Sequence, residues 1–294
     1  MSRAGLGTRL FILGVGLLYA SGALLAKLAY QSGSNALSIM VVRTLAALVW
    51  IVIFLRITGV PLALPPKQRW RAFAMGVVLI SNTFGLYYAF EKMPAPLAIL
   101  NFYLFPILVA IVQTLTGRER LSGRKLLALA LAFGGLALAL GTGNLQPTLP
   151  GVISATIGAV GFTTLFVLTE RLFPGGDSRP RTAHMLVTAN LIYLGAALLT
   201  QQFAPPQTGL GWIGFLGVCI TFPLAVTGFF MIIGRVPASE AAILMNIEPL
   251  TVVAGSALLF GEDLAGIQYL GALLVLAAIL LVQLPARAPR SGGR

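Results

Sequence analysis

Cysteine and histidine are almost missing from this chain of 294 residues, which has Cys219, His184 and no other residue of either kind. One thiol cannot close an intramolecular disulfide and one imidazole cannot build a ligand cluster. Disulfide scaffolds and metal-centred enzymes are therefore poor fits, and no metal or other cofactor is expected. Charge is scarce as well: only 10% of the residues carry it, and eight of those are acidic. No G-x-x-x-x-G-K-[ST] phosphate loop occurs, which argues against an ATP-driven pump. The G-x-G-x-x-G spacing at Gly209, Gly211 and Gly214 has no soluble strand and turn around it and reads as the entry to an apolar span. The formal charge of +12 comes in short clusters without interleaved aromatics, so nucleic acid is not an expected partner.

What the chain has instead is apolar surface. With 57% hydrophobic residues and a mean hydropathy of +0.92, it holds more than a core of this size could bury in water, and a lipid bilayer is its expected surrounding. Ten runs have about the length that crosses a ~30 Å hydrocarbon layer. They are Leu10 to Tyr30, Ala36 to Ile57, Ala72 to Phe90, Pro94 to Thr116, Gly123 to Gly141, Gly151 to Phe173, Thr182 to Phe203, Leu210 to Gly234, Ala238 to Phe260 and Ala265 to Leu284. The basic start and the small residues Ala20 to Ala23 imitate a secretory leader, but the run continues past them and reads as a retained span. The expected fold is an all-α integral membrane protein of ten transmembrane helices.

Ten spans constrain charge, because cytoplasmic loops collect Lys and Arg. With the N-terminus inside, the inner segments and their flanking span ends hold Arg3 and Arg9, then Arg56, Lys67, Arg69 and Arg71, then Arg118, Arg120, Arg124 and Lys125. Arg171, Arg179 and Arg181 follow, then Arg235, then Arg287, Arg290 and Arg294. Seventeen of the twenty basic residues are thus inside, Lys92 falls in an outer loop, and Lys27 and Arg43 lie within spans. Both termini are expected in the cytoplasm.

The chain also repeats itself. Shifting Met93 to Ala139 by 143 positions lays it over Val236 to Val282 without a gap, matching Pro94-Ala95 to Pro237-Ala238, Pro106 to Pro249, Glu119 to Glu262 and Gly123 to Gly266. Five spans per half is an odd number, so residues 1–142 and 143–294 would cross the membrane in opposite senses. The loop charges agree: Gly117 to Lys125 is strongly basic, whereas its copy from Phe260 to Gln268 has no basic residue. Inverted halves are a recurrent design of secondary transporters, with the binding site near the midplane between them.

Phe84-Gly85-Leu86-Tyr87-Tyr88-Ala89, Pro94-Ala95, Pro106 and Gly117-Arg118-Glu119-Arg120-Leu121, followed by Glu248-Pro249, Gly261-Glu262 and Gly271, resemble the paired repeats of EamA-type carriers in the drug/metabolite transporter superfamily. Arg43 fits the same pattern. The resemblance covers nearly the whole chain and implies a ten-helix exporter of small metabolites in the inner membrane. Phe102-Tyr103-Leu104-Phe105-Pro106 further resembles the fourth span of the aromatic amino acid exporter branch, while Tyr19-Ala20 departs from the Trp-Gly that many members carry.

Candidate site residues are those that are costly or disruptive inside a membrane. Glu248 lies about ten residues into its span, where a carboxylate costs a few kcal/mol unless paired, hydrated or protonated. It would meet a substrate ammonium, carry a proton or bond a neighbouring helix. Asn82, Asn101, Tyr103, Thr163 beside Phe162, and Asn246 are the polar and aromatic groups of a mixed lining, which suits a zwitterion with an apolar side chain. Each could equally join helices. Arg43 would hold a carboxylate or serve the architecture, and Lys27 would snorkel to the interface. Pro106 and Pro249 each remove a helix N–H, giving a hinge or a static kink.

The expected activity is alternating-access export of a small amphipathic metabolite, with aromatic or large apolar amino acids foremost. The expected partners are that substrate and the bilayer, with no obligatory protein. An intramembrane enzyme would need more His, Asp or Glu on adjacent spans. A channel would conduct without saturable flux, and a nucleotide-sugar or organophosphate exchanger would need more cavity cations than Lys27 and Arg43.

Overall fold

The computed structural model describes residues 5–93, 95–119, 121–141, 146–173, 175–233, 235–260 and 265–283, with all side chains in them except those of Tyr87, Phe90, Glu91, Ala95, Pro96, Ser256, Phe260 and Gln283. Pro94, Arg120, Gly234, the Gly261 to Leu264 part of the acidic loop, and the terminal Arg3, Arg287, Arg290 and Arg294 lie outside the described residues.

Helix occupies each of the ten apolar runs. In chain order the helices are α1 (Leu6–Gln31), α2 (Ala36–Ile57), α3 (Pro66–Lys92), α4 (Ala95–Phe102), α5 (Phe105–Leu115) and α6 (Gly123–Ala139). Then come α7 (Leu149–Leu172), α8 (Ser178–Thr200), α9 (Gly209–Ile232), α10 (Ala238–Leu244), α11 (Ile247–Phe260) and α12 (Gly266–Gln283). Seven segments are long and apolar enough to cross a membrane, counting Leu97–Leu115 and Ala238–Leu259 across their interruptions, and Gly266–Val282 is a shorter apolar helix. Several helices start earlier than hydropathy alone indicates. Thr148 and Asp177 accept hydrogen bonds from Gly151 N and Arg179 N, capping α7 and α8 outside the apolar core of each run. Asn35, Ser122 and Thr208 cap α2, α6 and α9 in the same way. Gly117, in the loop that marks the repeat, takes the left-handed conformation (φ 67°) that ends α5 and turns the chain toward α6.

The two interrupted runs explain the prolines. The fourth run breaks between Phe102 and Phe105, and the ninth between Leu244 and Ile247, within one position of each other under the 143-residue shift. Pro106 and Pro249 then fall in the first turn of the following helix, where a missing N–H leaves no intrahelical bond unmade. Pro223, by contrast, sits inside the unbroken α9.

Packing joins helices far apart in sequence. The most extensive pairs are α1 with α9, α3 with α7 and α6 with α12, followed by α2 with α8 and α3 with α8. Shifting positions by 143 exchanges the first two pairs, returns α6–α12 and α2–α8 to themselves, and carries α3–α8 onto the packed pair α2–α9. Small residues bring these backbones together: a Cβ on Gly85 would stand 2.5 Å from Gly158 N, and one on Gly135 would stand 2.8 Å from Gly271 O. The Gly85→Ala variant is expected to cost about 1–3 kcal/mol through overpacking, read as a lower melting temperature in detergent. An unchanged melting curve would show that the α3 and α7 backbones can part freely.

Large apolar side chains cover the outside, with Leu199 88%, Leu258 85% and Leu115 81% exposed, and only lipid makes that surface favourable. Contacts between helix ends sort into two faces. Arg9 meets Glu240, Arg71 meets the Leu172 carbonyl, Arg118 meets Glu170, and Arg179 meets Thr58 at the face that gathers the basic loops. At the other face Ser32 meets Thr208, Asn35 donates to the Gln202 carbonyl, and Thr148 donates to the Lys92 carbonyl.

Candidate functional site

A cavity of about 190 Å³ lies among α1, α2, α3, α4, α7, α8, α9 and α11. Its lining comes from the last part of α1 (Leu18 to Ala26), the first part of α2 (Ile39, Arg43 and Thr44) and the first part of α11 (Glu248 to Val252). These segments put it in the half of the bundle toward the weakly charged face. Toward the basic face it ends on a cluster of rings. Phe105 packs edge-on to Phe162 with centroids 4.6 Å apart, Phe166 meets Phe229 at 4.9 Å, and Phe229 meets Phe230 at 5.2 Å. Phe105, Phe166 and Phe229 are fully buried, so the ring layer is closed.

Two opposite charges face this cavity. Glu248, in the first turn of α11, accepts a 2.9 Å hydrogen bond from the Tyr103 hydroxyl. Tyr103 occupies the break between α4 and α5, and Glu248 follows the break between α10 and α11. The bond therefore joins the two interruptions directly. Arg43, on α2, stacks its guanidinium 4.4 Å from the Phe222 ring centre. The turn that carries it is pinned to α8, because Asn190 donates to both the Val41 carbonyl and the Thr44 hydroxyl at 3.1 Å. Tyr19 stands edge-on to Phe222 and Phe229, each at 6.4 Å, and completes an aromatic wall between the charges.

Of the residues singled out in the sequence, Asn82, Tyr103, Phe162, Glu248 and Pro249 line the cavity. Asn101, Pro106, Thr163 and Asn246 do not, and the polar groups among these have other partners. Asn101 donates to the Val152 carbonyl and accepts from Thr156, holding α4 against α7. Thr163 bonds back to the Ala159 carbonyl. Asn246 donates its side-chain amide to the Ala242 and Ile243 carbonyls at the end of α10, and its backbone N–H also donates to the Ile243 carbonyl. Sequence reasoning passed over Tyr19, Tyr193, Phe222, Phe229 and Phe230 as lining residues. The one signal was Tyr19 itself, where the chain departs from the Trp-Gly of similar sequences.

The chain matches the model of the EamA-like transporter family twice, over residues 7–141 and again over 149–284. It belongs to that family. An uncharacterised transporter of Archaeoglobus fulgidus is 29% identical over 195 residues, covering 66% of this chain and 68% of that protein. The transporter YvbV of Bacillus subtilis is 27% identical over 231 residues, covering 76% and 75%. Protein PecM of Dickeya dadantii is 22% identical over 227 residues, covering 75% and 76%. A crystal structure sharing 17% identity superposes with a TM-score of 0.81 over 96% of this chain and 99% of its own, a likeness of fold. This member of the EamA-like family is thus an all-helical, multi-pass membrane transporter.

Proposed function

We propose that this transporter exports aromatic or large apolar amino acids across the inner membrane by alternating access. The observation that carries the reading is the pairing of Glu248 and Arg43 on one ring-walled cavity. The Glu248 carboxylate, oriented by Tyr103, takes the substrate ammonium, Arg43 takes the carboxylate, and the side chain packs among Tyr19, Phe162, Phe222 and Phe229. Among the described lining residues Arg43 is the sole cation, which suits a carboxylate better than the several charges of a nucleotide sugar or phosphate ester.

The frame for this activity is ten transmembrane helices in two inverted five-helix halves, residues 1–142 and 143–294, with both termini in the cytoplasm. The double family match and the exchange of helix pairs under the 143-residue shift support it. Pro106 and Pro249 mark the breaks about which the fourth and ninth spans bend, and no protein partner is needed for the cycle.

Purified protein in liposomes is expected to take up labelled phenylalanine saturably, with competition from other large apolar amino acids. Absence of competable flux for every aromatic or large apolar amino acid overturns the substrate assignment. In the same assay Tyr103→Phe removes one charge-assisted hydrogen bond, about 1.5 kcal/mol, and is expected to raise the half-saturating concentration about tenfold. An unchanged value would mean that Tyr103 does not orient Glu248.

A further inference from the structure

The cavity lies toward the face away from the basic loops, and the contacts of the interrupted spans bear on how the basic face is held shut. α5 packs against α10, whereas α4 and α11, their counterparts under the shift, are not in comparable contact. The fourth and ninth spans therefore meet at the basic face and part at the other.

Three of the chain's eight acidic residues, Glu119, Glu170 and Glu240, lie along this closed seam at the face that gathers the basic loops. Glu170, near the end of α7, accepts from Gln113 of α5 at 2.6 Å and pairs with Arg118 at 3.6 Å. Glu240, in α10, pairs with Arg9 of α1 at 2.7 Å. Glu119 stands between them. It pairs with Lys125 at 2.5 Å and accepts from both the backbone N–H and the hydroxyl of Ser239 in α10. The polar ties thus run without interruption from α7 through α5 and α10 to α1, and the Glu119 to Ser239 contact is the step that crosses the seam.

Among the described residues the opposite face has no matching set. Under the shift, Arg9 and Glu240 correspond to Val152 and Leu97, which pack against one apolar cluster, and Glu170 corresponds to Lys27, while Glu262, the counterpart of Glu119, lies outside the described residues. A scaffold built from two similar halves has no intrinsic reason to prefer one opening over the other. A set of charged ties on one face supplies that reason.

We propose that Glu119 is the latch of a gate at the basic face: its bonds to Ser239 hold α5 to α10, and their release lets that face open while the other closes. Glu170 and Glu240 anchor the two sides on which the latch acts. The inference rests on the alternating-access reading above.

The test uses the full chain with Cys219→Ser and a reporter cysteine at Ala26, a lining residue. A membrane-impermeant thiol reagent is applied to vesicles of each orientation. The parent is expected to label only from the face away from the basic loops. Glu119→Ala is expected to raise labelling from the basic face at least about threefold and to lower it from the other, and Ser239→Ala, which keeps the carboxylate, moves both in the same direction. If both variants elute as folded protein and label like the parent, the latch is overturned. If the parent labels from neither face, the carrier reading fails together with the latch.

Discussion

With Glu248→Gln, binding of labelled phenylalanine to the purified transporter is expected to weaken about a hundredfold, while binding of 3-phenylpropionate changes by less than about threefold. The amide keeps the size of the side chain and can still accept from Tyr103, so the cavity retains its shape. What it loses is the attraction of a carboxylate for an ammonium in a site walled by rings, where little water screens it. Losing one partner of a buried, hydrogen-bonded charge pair costs about 2–5 kcal/mol, and about 2.7 kcal/mol corresponds to a hundredfold in affinity. The acid without an ammonium makes no such pair and should be indifferent. Equal losses for both ligands would mean that Glu248 supports the fold or the cycle without touching the substrate.

Arg43→Gln gives the mirror result. Phenylalanine binding should again fall about a hundredfold, and phenethylamine, which lacks the carboxylate, should bind nearly as before. Arg43 is held in place by the Phe222 face and by a helical turn that Asn190 fixes from α8. An arginine that served only the architecture would, on replacement, weaken both ligands together and lower the melting temperature. The two variants therefore separate recognition of each end of the zwitterion, and the double variant measures how far the two charges also depend on each other.

Helix positions were legible in the sequence because a span must be apolar over a fixed length, and the duplication was legible because prolines, a glutamate and glycines kept their spacing. The breaks were legible only in part. Pro106 and Pro249 pointed to them, yet Pro223 leaves α9 continuous, so a proline in a span does not by itself locate an interruption. The site divides along a physical line. Glu248, Tyr103 and Asn82 stood out because polar atoms in lipid are costly, but the same cost drew attention to Asn101, Thr163 and Asn246, which bond to nearby backbone carbonyls and a hydroxyl instead. Which course a polar residue takes depends on the face it occupies and on the neighbour opposite, and that neighbour belongs to a distant part of the chain. The rings Phe222, Phe229 and Phe230 gave no signal, because an apolar residue in an apolar run looks the same whether it meets lipid, core or substrate.

The glycine-mediated pairs have a consequence for how the protein is made. α1 and α3 wait in the membrane for α9 and α7, and α6 waits for α12, the last of the described helices. Until then the backbone at Gly85 and Gly135 lacks the surface it fits. The helices α1 to α6 are thus half of a shared structure, and a chain cut between α6 and α7 should yield two fragments that are each unstable alone and assemble when produced together.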